Sequence, residues 1–325
     1  MMKNSTSMVF FTFLIMSTLM TISSNNWLGG WMGLEINLIS FIPMMYMKKN
    51  YYTSECSMKY FIIQSMGSAI LLFGMVMVYF KMNENMMMFG LMIKLGVAPF
   101  HMWMISLMES LNWLNCLILT TWQKIATLML LSYLINYSSI YNVILSLVVG
   151  SIGGINQLSI KKMLAYSSIN SMGWIMMTMM TSMKIWINYF LIYSMMITSL
   201  IMILMKMKIN YLNQSLISIN SPLTKMYMST VMMSLGGLPP MMGFLPKLMV
   251  IQMMIITKNY LMIIIMVLTS LITMFYYMQI CTTLLMLNST KTKWIYFYNK
   301  NYKLLTMMSM LNMFGFIIIM IIKSM

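Results

Sequence analysis

The sequence predicts an all-α polytopic membrane protein, and its composition and its hydropathy pattern both support this prediction. Of its 325 residues, 61% are hydrophobic and only 7% are charged, whereas about 25% of the residues of a soluble domain are charged. Long apolar runs recur along the whole chain, and short clusters of Lys, Asn, Ser or Pro separate them. A membrane-crossing helix needs roughly 20 apolar residues. The length therefore leaves no room for a soluble catalytic domain.

The apolar runs predict eleven transmembrane helices. No small-residue cleavage site follows the first run, so we expect a retained helix and not a signal peptide. The net charge of +16 is also typical of nucleic-acid-binding proteins, but the basic residues are all lysines scattered between apolar runs, and we expect no nucleic-acid partner. The predicted helices lie near residues 8–24, 27–47, 58–80, 86–108, 113–134, 140–157, 163–182, 185–205, 224–256, 260–287 and 304–322.

The ninth run is too long to cross the membrane as one straight helix. Its length of about 33 residues would extend ~50 Å at 1.5 Å per residue, against a hydrocarbon core of about 30 Å. Gly236, Gly237, Pro239 and Pro240 lie near its middle, and both residue types disfavour a helix interior. We therefore expect two half-helices joined by this segment.

The fourth helix carries a similar interruption, because Gly96 and Pro99 follow Lys94 closely. The interrupted helices are the fourth of helices 1–5 and the fourth of helices 6–10, and each contains a lysine, Lys94 or Lys247. Paired interrupted helices are typical of inverted-repeat transporters. The pattern predicts two five-helix repeats, at 1–136 and 137–288, and then a loop and C-terminal helix at 289–325. Since five is odd, the second repeat would be inverted in the membrane.

The composition indicates a mitochondrial gene, which also sets the expected orientation. Methionine occurs 54 times and alanine is rare, as in an A/T-biased gene that reads AUA as Met. With eleven helices, thirteen of the lysines outside the helices fall on the face of the N-terminus and four fall on the opposite face. The positive-inside rule then predicts that the N-terminus faces the matrix.

Four charged residues lie inside predicted helices and are the candidate functional residues: Glu35, Lys94, Lys124 and Lys247. A charge at mid-membrane costs about 2.5 to 3.5 kcal/mol even on the lenient insertion scale, so such residues are usually functional. The alternative is that they snorkel to an interface or form static ion pairs. Snorkelling is difficult for Lys124, which lies about ten residues from either end of its predicted helix.

The three cysteines and single histidine do not form a recognisable metal or haem motif. Cys56, Cys116 and Cys281 are far apart in the sequence, and no C-x-x-C pair is present. We therefore expect no redox centre or other cofactor in this chain. Glu55, Glu84 and Glu109 lie at helix ends or in loops, where we expect them to be solvated.

Five segments, in order along the chain, resemble one known family. They are Trp27–Asn37, Lys94–Trp103, Thr121–Lys124, Leu164–Asn170 and Leu235–Lys247. They are similar to the antiporter-like subunits of mitochondrial respiratory complex I, the proton-pumping NADH:ubiquinone oxidoreductase. The animal form of the subunit that carries these segments lacks three N-terminal helices present in its bacterial relatives, which agrees with eleven helices here.

The resemblance implies a location and a set of partners. The chain would lie in the mitochondrial inner membrane among its lipids and beside other membrane-arm subunits of complex I. NADH, FMN, iron–sulfur clusters and ubiquinone would bind to other subunits. The resemblance also implies a role for each buried charge. Glu35 would be the carboxylate partner of Lys94, Lys124 would be the central lysine that passes protons laterally, and Lys247 would be the terminal lysine.

A general electrostatic argument supports this mechanism. Burial of an ammonium favours its neutral form, and a nearby carboxylate favours its charged form, so movement of Glu35 relative to Lys94 would change the proton affinity of the lysine. A unit pair at 4 Å and an effective dielectric constant of 20 is worth about 4 kcal/mol, which exceeds the about 2.3 kcal/mol per 100 mV needed to move one charge.

Two positions near these lysines leave alternatives open. His101 would share a helix face with Lys94 on an unbroken helix, so it is a possible proton relay, but it could equally satisfy carbonyls freed by Pro99. Members of the family commonly have histidine where this chain has Ser171. Water held by Ser167, Ser168, Asn170 and Ser171 would then have to carry the proton.

Three functions are compatible with these features. The first is a proton-translocating subunit of the NADH:ubiquinone oxidoreductase, which the mitochondrial composition favours. The second is a stand-alone cation/proton antiporter of related ancestry. The third is a structural membrane spacer whose buried lysines are locked in static pairs.

Overall fold

A computed structural model describes residues 5–46, 51–81, 83–218 and 222–286. Almost all of these residues are helical, and their β-type pairing is limited to an isolated bridge between Ser159 and Tyr211. The described residues form two compact units, and the chain passes from the first to the second between Ser146 and Leu147.

The first unit contains two long helices packed as an antiparallel pair, a third long helix, and several shorter ones. The helices are α1 (Ser5–Ser23), α2 (Trp27–Met45), α3 (Tyr51–Tyr79), α4 (Asn85–Leu95), α5 (Met102–Ser110), α6 (Trp113–Thr120) and α7 (Trp122–Leu134). A short 3₁₀ turn at Tyr137–Ser139 leads into α8 (Ile140–Ile152), which continues into the second unit.

The second unit is built around two long helices and one buried polar helix. Its helices after α8 are α9 (Ile160–Thr181), α10 (Met183–Met207), α11 (Leu212–Ser218), α12 (Pro222–Gly236), α13 (Phe244–Ile256) and α14 (Tyr260–Met286). Most of α9 is buried, including Ser168, Asn170 and Ser171. A helix with polar residues in the interior is positioned to form a polar site.

Six helices within the described residues are long and apolar enough to cross a membrane: α1, α2, α3, the α6–α7 pair, α10 and α14. The chain is therefore a multi-pass helical membrane protein. Each of the first ten predicted runs coincides with one helix or with two consecutive half-helices. The eleventh predicted helix, at 304–322, lies outside the described residues, as does the 289–325 segment.

Both predicted interruptions are present, and each is built on a glycine with a left-handed backbone. Helix α4 ends at Leu95, and Gly96 follows with φ 70°. Helix α12 ends at Gly236, and Gly237 follows with φ 87°. Glycine adopts this conformation without the steric cost that other residues incur. The chain then re-enters a helix at α5 or at α13.

The two interruptions also share a polar contact between their half-helices. The indole Nε1 of Trp103 on α5 donates to the carbonyl of Ile93 on α4, at 3.1 Å. The Nζ of Lys247 on α13 donates to the carbonyl of Gly236 on α12, at 2.7 Å. In each case a side chain of the second half-helix therefore donates to a carbonyl at the end of the first; the Ile93 carbonyl also accepts from the amide of Gly96.

The fifth predicted helix is interrupted as well, which the sequence did not predict. It divides at Thr121 (φ −115°, ψ −72°) into α6 and α7. The hydroxyls of Thr120 and Thr121 donate to carbonyls one turn earlier, and such hydrogen bonds tend to bend helices. The interruption lies three residues before Lys124. A further difference is α11, a short helix between the eighth and ninth predicted runs.

Candidate functional site

The first unit contains a small polar cavity that brings two of the predicted lysines together. Lys94, from the last turn of α4, and Lys124, from the first turn of α7, both line it. Lys94 is 6% exposed and Lys124 is 3% exposed, so neither side chain snorkels to the surface. The cavity is about 20 Å³, which is enough for roughly one water molecule.

Glu35 reaches Lys94 from α2. Its Oε1 lies 3.7 Å from the Nζ of Lys94, and the two side chains are 26% and 2% exposed. The same Oε1 accepts no hydrogen bond from the described residues. The distance permits an ion pair but exceeds that of a close charge-assisted hydrogen bond, which is about 2.7–2.9 Å. The pair can therefore tighten through a small movement of either side chain.

Gly67 on α3 leaves room for the stem of Lys94. A Cβ atom at position 67 would lie 3.0 Å from the Cγ of Lys94 and 3.2 Å from the carbonyl of Gly90. Nearby, the amide of Gln64 donates to the carbonyl of Lys94, at 3.2 Å. The backbone at the end of α4 is thus held from α3 while the ammonium is directed toward α2.

Other polar side chains complete the wall of this cavity, and sequence reasoning did not identify most of them as site residues. Tyr60, Gln64, Trp103, Gln123 and Thr127 all line it together with the two lysines. A carboxamide inside an apolar helix, such as that of Gln64, is the feature of the sequence that could have indicated these site residues. Tyr60 and Trp103 gave no such signal, because aromatic residues also fill apolar cores.

Lys247 lines a separate polar cavity in the second unit. This cavity is about 30 Å³, and Ser167, Asn170, Ser171 and Tyr193 contribute to its wall. Besides its hydrogen bond to Gly236, the Lys247 ammonium lies 5.9 Å from the centroid of the Trp174 ring, within the range of a cation–π contact. Its position at the C-terminal end of α12 also suits a positive charge, because the helix dipole is negative there.

The interruption in α12–α13 makes this position accessible to the lysine. A Cβ atom at position 237 would lie 2.7 Å from the Nζ of Lys247, so a side chain there would require the ammonium to shift. The side chains of Lys94 and Lys247 therefore each lie against a glycine, Gly67 and Gly237 respectively.

The serines around position 171 face this cavity, and buried tyrosines lie beside them. Ser167, Asn170 and Ser171 line the cavity, whereas Ser168 is fully buried next to it. The hydroxyl of Tyr193 lies within interaction range of Ser171 and Ser168. Sequence reasoning missed Tyr189, Tyr193 and Tyr277, which also line the cavity.

His101 lies away from the cavity that contains Lys94. It precedes α5, is partly exposed, and its Nδ1 lies 3.1 Å from the carbonyl of Pro99. Because the helix is interrupted between the two residues, His101 and Lys94 do not share the helix face that an unbroken helix would give them. This contact is with the carbonyl of Pro99 itself, so it does not distinguish between the two roles considered for His101.

The remaining glutamates are exposed, as predicted. Glu84 and Glu109 lie at the protein surface, and Glu55 forms an exposed ion pair with Lys59 at 2.6 Å. The three cysteines are buried and form no disulfide with one another. Within the described ranges, no group of three or more His, Cys, Asp or Glu side chains is placed to hold a metal ion.

The family of the chain follows from its similarity to known proteins. A sequence model of the NADH:quinone oxidoreductase/Mrp antiporter transmembrane family matches residues 24–87 and 80–273. NADH-ubiquinone oxidoreductase chain 2 of Anopheles gambiae is 43% identical, with 93% of each chain covered. The Aedes aegypti protein of the same name is 44% identical, with 99% of each chain covered.

Two solved structures share the fold of this chain. A chain of respiratory complex I from Thermus thermophilus has a TM-score of 0.84 at 19% identity, covering 96% of this chain and 78% of that one. A chain of the Mrp complex from Dietzia has a TM-score of 0.77 at 16% identity, covering 87% and 61%. Because the sequence similarity to the Anopheles and Aedes relatives extends over nearly the whole chain, the chain belongs to the NADH-ubiquinone oxidoreductase chain 2 family of antiporter-like membrane proteins.

Proposed function

We propose that this chain is a membrane-arm subunit of the proton-pumping NADH:ubiquinone oxidoreductase of the mitochondrial inner membrane. It moves protons through Glu35, Lys94, Lys124 and Lys247 while NADH oxidation takes place in other subunits. Those subunits bind NADH, FMN, the iron–sulfur clusters and ubiquinone, and this chain binds no cofactor. Its partners are the other membrane-arm subunits and the lipids of the inner membrane.

The observation that carries this proposal is that Lys94 and Lys124 line one small buried cavity while Glu35 lies 3.7 Å from Lys94. Two ammonium groups in one cavity repel each other, so the protonation of one disfavours the protonation of the other. A closer Glu35 stabilises a proton on Lys94, and a more distant Glu35 favours its release toward Lys124. The cavity provides the polar path between the two lysines.

The architecture proposed for this function has eleven transmembrane helices with the N-terminus in the matrix. Residues 1–136 and 137–288 are two inverted five-helix repeats, and residues 289–325 are a loop and a final helix. The paired glycine-based interruptions at α4–α5 and α12–α13 support the repeats, since each lies in the fourth helix of its half. His101 stabilises the first interruption through the Pro99 carbonyl.

A stand-alone cation/proton antiporter is the second candidate, and its support is the shared fold with a chain of the Mrp complex. The sequence identity to that chain is 16%, against 43% and 44% to the insect NADH-ubiquinone oxidoreductase chains. The complex I role is therefore preferred.

The decisive experiment replaces Lys124 with Met in the assembled complex. Met matches the stem of lysine in size and removes the buried charge itself. We expect normal assembly and a loss of coupled proton pumping of roughly a hundredfold, in the range of a missing proton-transfer group. Pumping and NADH oxidation are measured together in inner-membrane vesicles.

Lys184→Met is the matched control, because Lys184 is exposed at the start of α10. It should pump like the parent. A Lys124→Met complex that assembles and pumps at the parent proton-to-electron ratio contradicts the proposal. Such a result favours the structural-spacer alternative.

A further inference from the structure

The second unit contains another, much larger cavity of about 450 Å³. It lies at the end of the unit where α8, α10 and α14 end and where α9 begins. Its wall includes the polar side chains of Asn156, Gln157, Asn213 and Gln279. Asn156, Asn213 and Gln279 are exposed, so the cavity opens at the protein surface. Its polar groups are carboxamides and hydroxyls, which hydrogen-bond readily to water.

Two consecutive tyrosines on α14 connect this cavity to the one that contains Lys247. Tyr276 lines the large cavity and Tyr277 lines the Lys247 cavity. Both side chains are buried, at 3% and 1% exposed, and their ring centroids are 4.7 Å apart. The two tyrosine side chains therefore lie between the two cavities.

The hydroxyls of this pair are placed to exchange hydrogen-bond partners. The Tyr277 hydroxyl lies within interaction range of Ser167 and of Tyr276. Both phenol oxygens are buried, and neither makes a well-aligned hydrogen bond within the described part of the chain. A buried hydroxyl normally has a partner, and Ser167 and Tyr276 are the side chains within range of the Tyr277 hydroxyl.

Close packing holds both rings in position. A Cβ atom at Gly154 would lie 2.9 Å from the Cε1 of Tyr276, so the α8–α9 loop contacts that ring directly. On the other side, a Cβ at Gly236 would lie 3.6 Å from the Cβ of Tyr277. Gly236 is the residue whose carbonyl accepts the Lys247 hydrogen bond, so Tyr277 adjoins the lysine site.

We propose that Tyr276 and Tyr277 relay protons between the large surface cavity and Lys247, through the hydroxyl of Ser167. This inference rests on the proposed role of Lys247 in proton translocation. It assigns the route to the lysine-rich face, where Lys161, Lys162 and Lys208 lie at the helix ends.

The relay conserves protons at every step. A water-borne proton in the large cavity moves to the Tyr276 oxygen as the Tyr276 hydroxyl proton moves to Tyr277. The Tyr277 proton moves to Ser167, and the Ser167 proton moves through cavity water to neutral Lys247. Each hydroxyl accepts one proton and gives up one, so no tyrosinate forms, and the net change is one proton transferred to the lysine.

The test compares Tyr276→Phe and Tyr277→Phe in the assembled complex in sealed inner-membrane vesicles. Phenylalanine keeps the ring and removes only the hydroxyl. We expect each variant to assemble normally and to slow coupled proton uptake roughly tenfold, with a solvent deuterium isotope effect on turnover larger than that of the parent. A purely structural role would not raise the isotope effect.

Tyr166→Phe is the matched control, because the Tyr166 ring packs against Gly153 and lines neither cavity. It should behave like the parent. Lys247→Met separates the two proposals. If Lys247→Met stops pumping while both tyrosine variants pump at the parent rate and isotope effect, the relay is wrong and the lysine mechanism stands. If Lys247→Met pumps normally, the lysine mechanism itself fails.

Discussion

At the scale of single residues, the buried lysines differ in the group that faces each ammonium. Lys94 faces a carboxylate, Glu35, at 3.7 Å, whereas Lys247 donates to the main-chain carbonyl of Gly236 at 2.7 Å. A carboxylate carries a full negative charge that can move with its side chain, but a helix-end carbonyl is fixed and only partly negative. In the proposed mechanism, Lys94 is therefore the lysine whose proton affinity a neighbouring side chain changes.

Glu35→Gln tests this switch. Glutamine has the same shape and its carbonyl oxygen can accept a hydrogen bond from Lys94, but it removes the negative charge. We expect assembly at the parent level and proton pumping that is reduced less than in Lys124→Met, measured with NADH oxidation in vesicles. The matched control is Glu55→Gln, which affects only the exposed pair with Lys59 and should leave pumping unchanged. A Glu35→Gln complex with parent pumping would remove Glu35 from the mechanism.

Residue type explains which site residues the sequence could predict. Charged residues such as Lys94 and Lys247 are conspicuous in apolar helices because their burial is costly. Tyr193 and Tyr277 are not conspicuous, since a tyrosine ring packs readily in an apolar helix and only its hydroxyl is polar. The polar character of Tyr277 becomes visible only when α9 and α14 are packed together.

At the scale of helices, interruptions were predictable only where the sequence contains glycine and proline. Gly96 and Gly237 have the left-handed backbones that end α4 and α12, and both breaks were predicted from composition. The break at Thr121 was not, because threonine is common within membrane helices and its effect depends on hydrogen bonds to the preceding turn. It places Lys124 in the first turn of a helix.

The contact between α3 and α4 depends on glycine. A Cβ at Gly90 would lie 2.9 Å from the carbonyl of Gly67 and from the amide nitrogen of Leu71, and neither backbone atom can move without shifting a helix. Close approach through small residues is a general feature of helix packing in membranes. Since Lys94 is one turn further along α4, this contact also positions the lysine.

Gly90→Ala should therefore destabilise the first unit, by about 1–3 kcal/mol as for other overpacked sites. We expect less assembled complex and a lower midpoint in thermal denaturation. Gly236→Ala is the control with the same substitution, because its added Cβ would have its nearest neighbour at 3.6 Å, an ordinary contact. Equal stability of the two variants would show that α3 and α4 are not held by this glycine contact.

At the scale of the whole molecule, the two units share three local features around a buried lysine. Each has a buried lysine that lies against a glycine, an interrupted helix that ends at a glycine with a left-handed backbone, and a small polar cavity of about 20 or 30 Å³. The first cavity contains a second lysine, Lys124, whereas the second contains serines and tyrosines. The first unit is suited to charge exchange between lysines and the second to proton transfer through hydroxyls.

The proposed topology places Lys208 and Lys258 on opposite faces of the membrane. Both residues are exposed and both follow a helix, α10 and α13, with a left-handed backbone (φ 55° and 59°), so a substitution is equally disruptive at either position. One membrane crossing, made by the interrupted α12–α13 pair, separates them. Lys208 belongs to the lysine-rich face, which the positive-inside rule assigns to the matrix.

Single Lys208→Cys and Lys258→Cys variants test this assignment. In mitoplasts, which expose only the outer face of the inner membrane, an impermeant maleimide should label Cys at 258 and should label Cys at 208 only after the membrane is permeabilised. The native Cys56, Cys116 and Cys281 are buried, so the parent chain gives the background. Labelling of both positions in intact mitoplasts would mean that α12–α13 does not cross the membrane. The reverse pattern would place the lysine-rich face and the large cavity opposite the matrix, and the tyrosine relay would then serve proton release instead of uptake.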